Sequence, residues 1–260
     1  IGASPGDRDR PLTESPFVDS AGVPWKGRSF EENPWAEDDG ETPELIAAAL
    51  GATPFVKMTF IESLRGQRLL VPLIAEIGQT GMGPHGQTVD KSADLAIVAV
   101  ATPDDRTAIP AFTSVEDMLS WKPDARPVPV SISKLCVATV GEGHTRVIIN
   151  PATHARALRR TELAALAQEL EIIDAVSGPE VKRVIAHAVK EVEDVVMAGV
   201  SAGDPEARLV AEEIIIEVGM RPGLTAEGLE TALTSFVAHL RAESLDDFVD
   251  SFKLKIISVI

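Results

Sequence analysis

The sequence contains one cysteine and no tyrosine among its 260 residues. A lone thiol, Cys136, cannot form an internal disulfide, and it cannot build a zinc site made of several cysteines. The absence of tyrosine removes phenolic acids and nucleophiles from the available chemistry. There is also no run of about 18 apolar residues, so the sequence predicts no transmembrane helix and no membrane partner.

Basic residues are also scarce, which argues against a second class of partner. The chain has 24 Lys and Arg against 40 Asp and Glu, a formal net charge of -16. Binding to nucleic-acid phosphates needs an excess of positive charge, so we expect no nucleic-acid partner. The first residues, IGASPGDRDRPLTESP, lack the apolar stretch of a secretory signal. Together with the single thiol, this predicts a cytoplasmic location.

Charge and composition predict an acidic arm before two domains. Residues 1–50 hold 11 Asp and Glu and 4 Lys and Arg, are rich in Pro, Gly and Ser, and show no apolar periodicity. We therefore predict an acidic, extended arm over 1–54. Its aromatic residues Trp25, Phe30 and Trp35 would be unusual in a fully solvated tail, so we expect the arm to dock on the body.

Helical and strand patterns alternate through the predicted N-terminal domain, residues 55–170, and indicate a mixed α/β fold. Pro72 lies within a predicted strand, where it limits the ladder or marks an edge. The predicted strand 94–101 is almost wholly apolar, so we expect it to be central. Ser114 is spaced like a helix cap and should start a helix that runs through Trp121. Further helices are predicted at 44–50, 55–65, 133–140 and 161–168, and further strands at 69–77, 107–114, 127–132 and 145–151.

The predicted C-terminal domain, residues 171–260, follows the order α-β-β-α-β. Its first helix starts at Pro179, and its second carries an apolar stripe from Leu229 to Leu240. This order suits an antiparallel sheet with both helices on one face, an incomplete ferredoxin-like plait. The whole chain is therefore predicted to be an α+β protein. Its strands are predicted at 194–202, 207–220 and 251–259.

The sequence predicts no catalytic, cofactor-binding or metal-binding residue. The glycine-rich loop 78–86, GQTGMGPHG, leads into a strand and not a helix, so a flexible connection fits it better than a nucleotide site. The five His are scattered without a cluster of metal ligands. Cys136 lies in the apolar run KLCVATV, which is typical of a buried thiol and not of a nucleophile.

Four residues allow two interpretations each, one as part of a binding site and one as an ordinary structural or surface residue. Trp121 ends a predicted helix and either seals the core or lines a groove for a peptide or protein. Asp90 and Lys91 precede a strand and are either a solvated pair or ligand contacts. His85, in the glycine-rich loop, is either a surface side chain or a ligand contact.

The last strand predicts self-association. Alternation places Ile257 and Val259 on the sheet face that has no helices, where Ile215 would extend them into one apolar patch. Either the N-terminal body or a second subunit must cover this patch. A strand edge also offers unpaired N–H and C=O groups, so we expect a two-fold dimer through this strand.

Several segments resemble the SseB family in the form found in actinobacteria. The most specific feature is the apolar strand that ends in FTS and begins a helix, within PAFTSVEDMLSW at 110–121. The resemblance implies an SseB N-terminal region at about 55–168 and a second domain near 175–260. It implies no reaction, cofactor or active-site residue, because the family takes its name from an enhanced serine sensitivity phenotype. The other segments are DSAGVPWKGRSFEENPWAEDDG at 19–40, RLLVPLIAEIG at 68–78, VDKSADLAIVAV at 89–100 and VIINPAT at 147–153.

These observations favour a non-catalytic protein-interaction or regulatory module with a protein partner. The alternative is an enzyme or sensor that binds a small amino-acid-related ligand, which rests on the serine phenotype of the family. A concave pocket with convergent buried polar residues would favour the ligand. An exposed apolar patch would favour the interaction module.

Overall fold

The computed structural model describes residues 34–75, 81–82, 88–89 and 95–257. Residues 34–38, which include a turn at 34–37, belong to a separate unit. The described residues from Asp39 onward form one compact unit. Two of the aromatic residues predicted to dock the arm, Trp25 and Phe30, lie outside the described residues.

The N-terminal part of the compact unit alternates helices and strands, as predicted. The helices predicted from apolar periodicity are confirmed, each within a few residues of its expected bounds. They are α1 Glu44–Gly51, α2 Lys57–Ser63, α3 Val115–Trp121, α4 Ile132–Gly141 and α5 Arg160–Ala167. The strands are β1 Arg68–Ala75, β2 Gly81–Met82, β3 Thr88–Val89, β4 Leu95–Ile97, β5 Val100–Ala101, β6 Thr107–Ala111, β7 Arg126–Ser131, β8 Val147–Ile149 and β9 Arg156–Leu158.

Two open sheets carry the N-terminal part. In the first, β1 lies between β4 and β7 and is antiparallel to both. The second has the order β5-β6-β8-β9, in which β6 and β8 are parallel. Leu70 and Phe112 join the two sheets by exchanging backbone hydrogen bonds of 2.8 and 2.9 Å. β2 and β3 form a separate pair.

One expectation about these strands is decided between its two alternatives, and another is wrong. Pro72 limits the ladder and does not mark an edge, because β1 is a middle strand. It is tolerated there because it faces Pro127, so both missing N–H donors fall at one step of the ladder, while β4 pairs only from Leu73 onward. The run 94–101 is not one central strand, because the chain crosses between sheets at 98–99 and leaves β4 and β5 as edges of different sheets.

The predicted cap of α3 is confirmed. The Ser114 hydroxyl oxygen accepts a 3.1 Å hydrogen bond from the backbone N–H of Asp117, and the same hydroxyl donates to the Asp117 carboxylate at 2.8 Å. Next to the cap, Thr113 and Asn150 exchange two hydrogen bonds of 2.9 Å, Thr113 N–H to Asn150 Oδ1 and Asn150 Nδ2 to Thr113 Oγ1. Thr113 follows β6 and Asn150 follows the parallel strand β8. The segment Phe112-Thr113-Ser114, which we call the FTS step, therefore links the ends of both strands to the start of α3.

The C-terminal part has the predicted element order α-β-β-α-β. Its elements are α6 Pro179–Glu191, β10 Val195–Ala202, β11 Ile214–Met220, α7 Ala226–Ala242 and β12 Phe252–Ile257, with a short 3-10 turn at Leu245–Asp247 before β12. Both helices pack on one face of the sheet. This core includes Val181, Val184 and Ala188 of α6, Ile214, Ile216 and Val218 of β11, and Phe236 and Leu240 of α7.

The expected antiparallel sheet is wrong in one pairing. The strand order is β10-β11-β12, and β10 is antiparallel to β11, but β12 is parallel to β11. The crossover through α7 returns the chain to the end of the sheet where β11 began, so β12 runs in the same direction. The predicted strand at 207–220 is also too long, because Ala207 and Leu209 adopt positive φ and Val210 is 69% exposed. The Asp204 carboxylate accepts the backbone N–H groups of Arg208 and Leu209, which holds this segment as a loop.

A first prediction concerns the helix cap. Replacing Ser114 by Ala removes the acceptor of the Asp117 N–H, so it should lower the free energy of unfolding by about 1 kcal/mol in urea denaturation. The matched control is Ser235→Ala in the middle of α7, where the change should stay within about 0.5 kcal/mol. Equal effects of the two variants would show that the cap contributes nothing.

Candidate functional site

Of the residues singled out from the sequence, the structure describes Trp121 and Ile257. His85, Asp90, Lys91 and Val259 lie outside the described residues. Trp121 is the last residue of α3, half-buried, with its ring centroid 5.4 Å from that of Phe112. It packs on a small cluster that joins α3 to β1. This geometry is that of a side chain sealing a core edge.

The predicted apolar patch of β12 is interrupted. Ile215 lies opposite Lys253, and the next row on the same face holds Glu217 and Lys255, whose ion pair measures 2.9 Å. Ile257 is half-buried one row further along. The parallel register therefore separates Ile215 from Ile257, and the expected continuous patch is wrong.

Cys136 is fully buried within α4. Burial raises the pKa of its thiol to about 12, so the thiolate that would act as nucleophile is not formed at physiological pH. His144 is occupied elsewhere, with Nδ1 2.8 Å from the Thr107 hydroxyl. Among the described residues, no group of His, Cys, Asp and Glu side chains is arranged to hold a metal ion.

A buried group of charged side chains joins the N-terminal and C-terminal parts. We call it the ion cluster, and its three cations face five carboxylates. The cations come from the N-terminal part, and three of the carboxylates come from the C-terminal part. Its members are Lys57, Asp104, Arg146, Arg159 and Glu162 of the N-terminal part and Asp204, Glu213 and Asp250 of the C-terminal part.

Arg146 makes a two-point contact between the two parts. Its Nη1 and Nη2 donate to the two carboxylate oxygens of Asp250 at 2.9 and 2.6 Å, and its Nε donates to Asp104 at 3.0 Å. The side chains of Arg146 and Asp250 are 1% and 0% exposed. A two-point, charge-assisted contact of this kind is strong and fixes orientation. Arg146 therefore fixes where the start of β12 lies.

Arg159 makes the second contact between the two parts. Its Nη2 donates to the Asp204 carboxylate at 2.6 Å and to the carbonyl oxygen of Ala211 at 2.8 Å. Its Nη1 lies 3.5 Å from Asp250, and Nε of Arg160 lies 3.9 Å from the same carboxylate, so Asp250 is shared by three arginines. Asp204 thus holds both the guanidinium and the loop before β11.

Lys57 completes the cluster between two glutamates. Its Nζ lies 2.5 Å from Glu162 and 2.7 Å from Glu213. Burial by itself would lower the pKa of Lys57, but the two carboxylates outweigh burial and raise that pKa above its usual value, so the ammonium stays charged. Burial raises the pKa of Glu162, and the nearby ammonium offsets only part of this effect.

A cavity of about 320 Å³ lies beside the ion cluster. Its polar lining includes Asp104, Arg106, Arg146, Arg159 and Ser251. The two buried arginines are already bound to carboxylates, and a volume of this size is at the lower limit for small-molecule sites. Because these charged groups already contact each other across the two parts, few of their hydrogen-bonding positions remain for a ligand.

A larger and more apolar groove lies between α6 and β10. We call it the α6–β10 groove, and its volume is about 530 Å³. One wall consists of residues of α6 at helical spacing, and the other is the edge of β10. Its lining includes two lysines and no acidic residue. The lining includes Lys182, Ala186, Val189 and Lys190 of α6 and Met197, Ala198, Gly199 and Val200 of β10.

Sequence reasoning missed both of these features. The sequence predicts no role for Asp204, which falls between two predicted strands, and the predicted strand 207–220 includes Glu213. Arg146 precedes the apolar strand β8, which was the available sign that it is buried, whereas Arg159 follows β9, Arg-Ala-Leu, which gave no such sign. For the groove, the sign was the uncharged run VVMAGVSA at 195–202, which forms an edge strand.

A second prediction concerns the ion cluster. Replacing Asp250 by Asn removes the buried charge that Arg146 contacts at two points and leaves it only the partly exposed Asp104, so the free energy of unfolding should fall by about 3–5 kcal/mol. The double variant Arg146→Met, Asp250→Leu should lose less than the sum of the two single losses, because neither charge is then left alone. The control is Arg183→Met, whose exposed pair with Glu243 should matter by at most about 1 kcal/mol. An Asp250→Asn loss no larger than this control, in urea denaturation, would contradict a structural role for the cluster.

Comparison with known proteins assigns the N-terminal part. No curated protein and no solved structure matches the chain at a significant level. Among the described residues, no helix is long and apolar enough to cross a membrane. Residues 43–165 match the family model of the SseB protein N-terminal domain. The match begins just before α1 and ends within α5, so it covers the elements that carry the FTS step and all three cations of the ion cluster. Over residues 43–165 the chain is therefore similar to the SseB protein N-terminal domain.

Proposed function

We propose that this chain is a non-catalytic protein-interaction module, with the α6–β10 groove as its binding surface. The observation that carries the proposal is an apolar groove bordered by a strand edge that pairs with no other strand in the described part of the chain. Val196 and Met197 at this edge are 51% and 47% exposed. Exposed apolar surface of this kind is characteristic of sites where another protein binds.

The chemistry of the remaining polar groups supports a non-catalytic role. The thiol of Cys136 is buried and protonated, so it is not an activated nucleophile. The buried cations Lys57, Arg146 and Arg159 each hold carboxylates of this same chain. A catalytic group must be free to contact a substrate, and these groups are committed to the ion cluster.

The alternative function is binding of a small amino-acid-related ligand. One observation favours it: the cavity beside the ion cluster presents both a carboxylate, Asp104, and guanidinium groups, Arg106 and Arg146, to the same space. Such a ligand carries both charges and could contact both. Binding there has to compete with the 3.0 Å hydrogen bond between Arg146 and Asp104, so we rank it second.

A third prediction tests the interaction module. The intact chain and its Met197→Asp variant serve as baits in the same cell extract, and captured proteins are quantified by mass spectrometry. Because the aspartate places a charge in the apolar groove, at least one partner should be lost from the variant. The matched control is Val137→Asp, an equally drastic change at a 58% exposed site on α4, which should keep that partner.

Two outcomes oppose the proposal. Identical partners for all three baits would show that the groove binds none of them. A saturable heat signal when a free amino acid is titrated into the intact chain, abolished by Arg106→Ala and unchanged by Met197→Asp, would support the alternative.

A further inference from the structure

We propose that the α6–β10 groove takes an extended, acidic peptide segment of another protein, which adds to the sheet as a strand beside β10. The inference rests on the proposed function, because it names the partner chemistry of the same groove. Four features support it: an edge that pairs with no strand among the described residues, the lack of charged residues and proline along that edge, the shape of the groove, and the charge of its rim.

The groove opens at the edge of the sheet and not on one of its faces. Ala198 lies opposite Val218 and Val200 opposite Ile216, so their side chains point toward the helices. Met197 and Gly199 point to the other face, yet all four consecutive residues line the groove. Residues of both faces can border one space only where that space is beside the strand. The occupant therefore lies next to β10, where the unpaired backbone groups are.

The two edge strands of the C-terminal sheet differ in the charged residues that protect an edge from pairing with another strand. β12 carries Lys253 and Lys255, charged side chains of the kind that keep an edge from pairing with other strands. β10 has no charged residue and no proline over 8 residues, and its one irregularity is the register shift between Val195 and Met197. An unprotected edge in a folded protein is a liability unless a partner uses it. This contrast selects β10 over β12 as the binding edge.

Helix α6 supplies the second wall that strand addition needs. Lys182, Ala186, Val189 and Lys190 follow the spacing of one helical face and all line the groove. A peptide that pairs with β10 would have the side chains of one face against this wall, and those of its other face away from it. A Cβ added at Gly199 would meet no described atom within 4 Å, so the face of β10 that points away from the helices is open at this position in the described part of the chain. Strand addition between a helix and a sheet edge is an established mode of peptide recognition.

The charge of the groove selects an acidic segment. The chain has a net charge of -16, yet the groove lining holds Lys182 and Lys190 and no acidic residue. Neither lysine forms an ion pair within the described part of the chain, whereas neighbouring Arg183 pairs with Glu243 at 3.0 Å. Both lysines are exposed at the rim, where they can meet carboxylates of a peptide. A second copy of this chain is a poorer occupant, because a two-fold pairing of β10 with itself would bring the same lysines together.

The test uses the intact protein and a defined peptide. The probe is a blocked peptide of about ten residues in which Val and Glu alternate, long enough to run beside the 8 residues of β10. Titration is followed by two-dimensional NMR of the backbone amides. We expect saturable shifts concentrated in β10 and α6, and slower hydrogen exchange of edge amides in β10. A peptide in which Lys replaces Glu should bind at least about tenfold more weakly, as two rim contacts change from attraction to repulsion.

Variants separate charge and backbone contributions. The Lys182→Glu, Lys190→Glu protein should bind the Val-Glu peptide at least about tenfold more weakly than the intact chain. The control Lys134→Glu, Lys253→Glu changes the net charge equally at exposed sites outside the groove and should keep the affinity. A Val-Glu peptide with N-methyl groups on alternate residues cannot pair along one edge, so at least one of the two N-methyl registers should fail to bind.

The outcomes distinguish this inference from the proposed function. Loss of a cellular partner with Met197→Asp, together with no binding of the Val-Glu peptide, overturns the acidic-strand inference and leaves the interaction module standing. A concentration-dependent dimer that Met197→Asp abolishes shows that a second copy occupies the groove, and also overturns it. Equal binding of the Val-Glu and Val-Lys peptides removes the role of the lysines and contradicts the stated partner chemistry.

Discussion

Burying charged groups requires that every one of them finds a partner, and this requirement determines how the N-terminal and C-terminal parts meet. Lys57, Arg146 and Arg159 lie on the N-terminal part, and each is bound by a carboxylate of the C-terminal part. Separating the parts would leave these charges without their partners, so the junction has a strong preference for one arrangement. Such pairs contribute more to specificity of orientation than to net stability.

The direction of β12 makes this junction possible. β10 ends, β11 begins and β12 begins at the same end of the sheet, because β10 is antiparallel and β12 is parallel to β11. Asp204, Glu213 and Asp250 stand at those three strand ends. An antiparallel β12 would carry Asp250 to the opposite end, away from Arg146. The 2.8 Å hydrogen bond from the backbone N–H of Asp250 to Glu213 shows how closely the strand ends converge.

The junction and the proposed binding surface use different sides of the C-terminal sheet. The strand ends with carboxylates face the N-terminal part, and the helices α6 and α7 cover one face of the sheet. The proposed surface is the edge of β10 beside α6, which carries no charged residue, whereas the opposite edge carries lysines. The FTS step, which is the most specific part of the family resemblance, serves the N-terminal part as a helix cap and a link between β6 and β8. The features that mark the family in this chain are therefore structural, and the proposed binding surface lies outside residues 43–165.

The sequence by itself determined the α+β class, the helices, the order α-β-β-α-β and the cap at Ser114, because each depends on periodicity or on contacts between neighbours in the chain. Only the tertiary structure decided the position of β1 between β4 and β7, the division of the run 94–101 and the parallel direction of β12. Those outcomes depend on pairing between segments that are distant in the chain. An apolar strand has the same sequence pattern in the middle of a sheet as at its edge, so the pattern does not reveal the pairing. The ion cluster and the α6–β10 groove were also decided by the tertiary structure. Charge and apolar character are visible in a sequence. Which carboxylate contacts a buried cation, and whether a strand edge is exposed, depend on the segments that the fold places next to them.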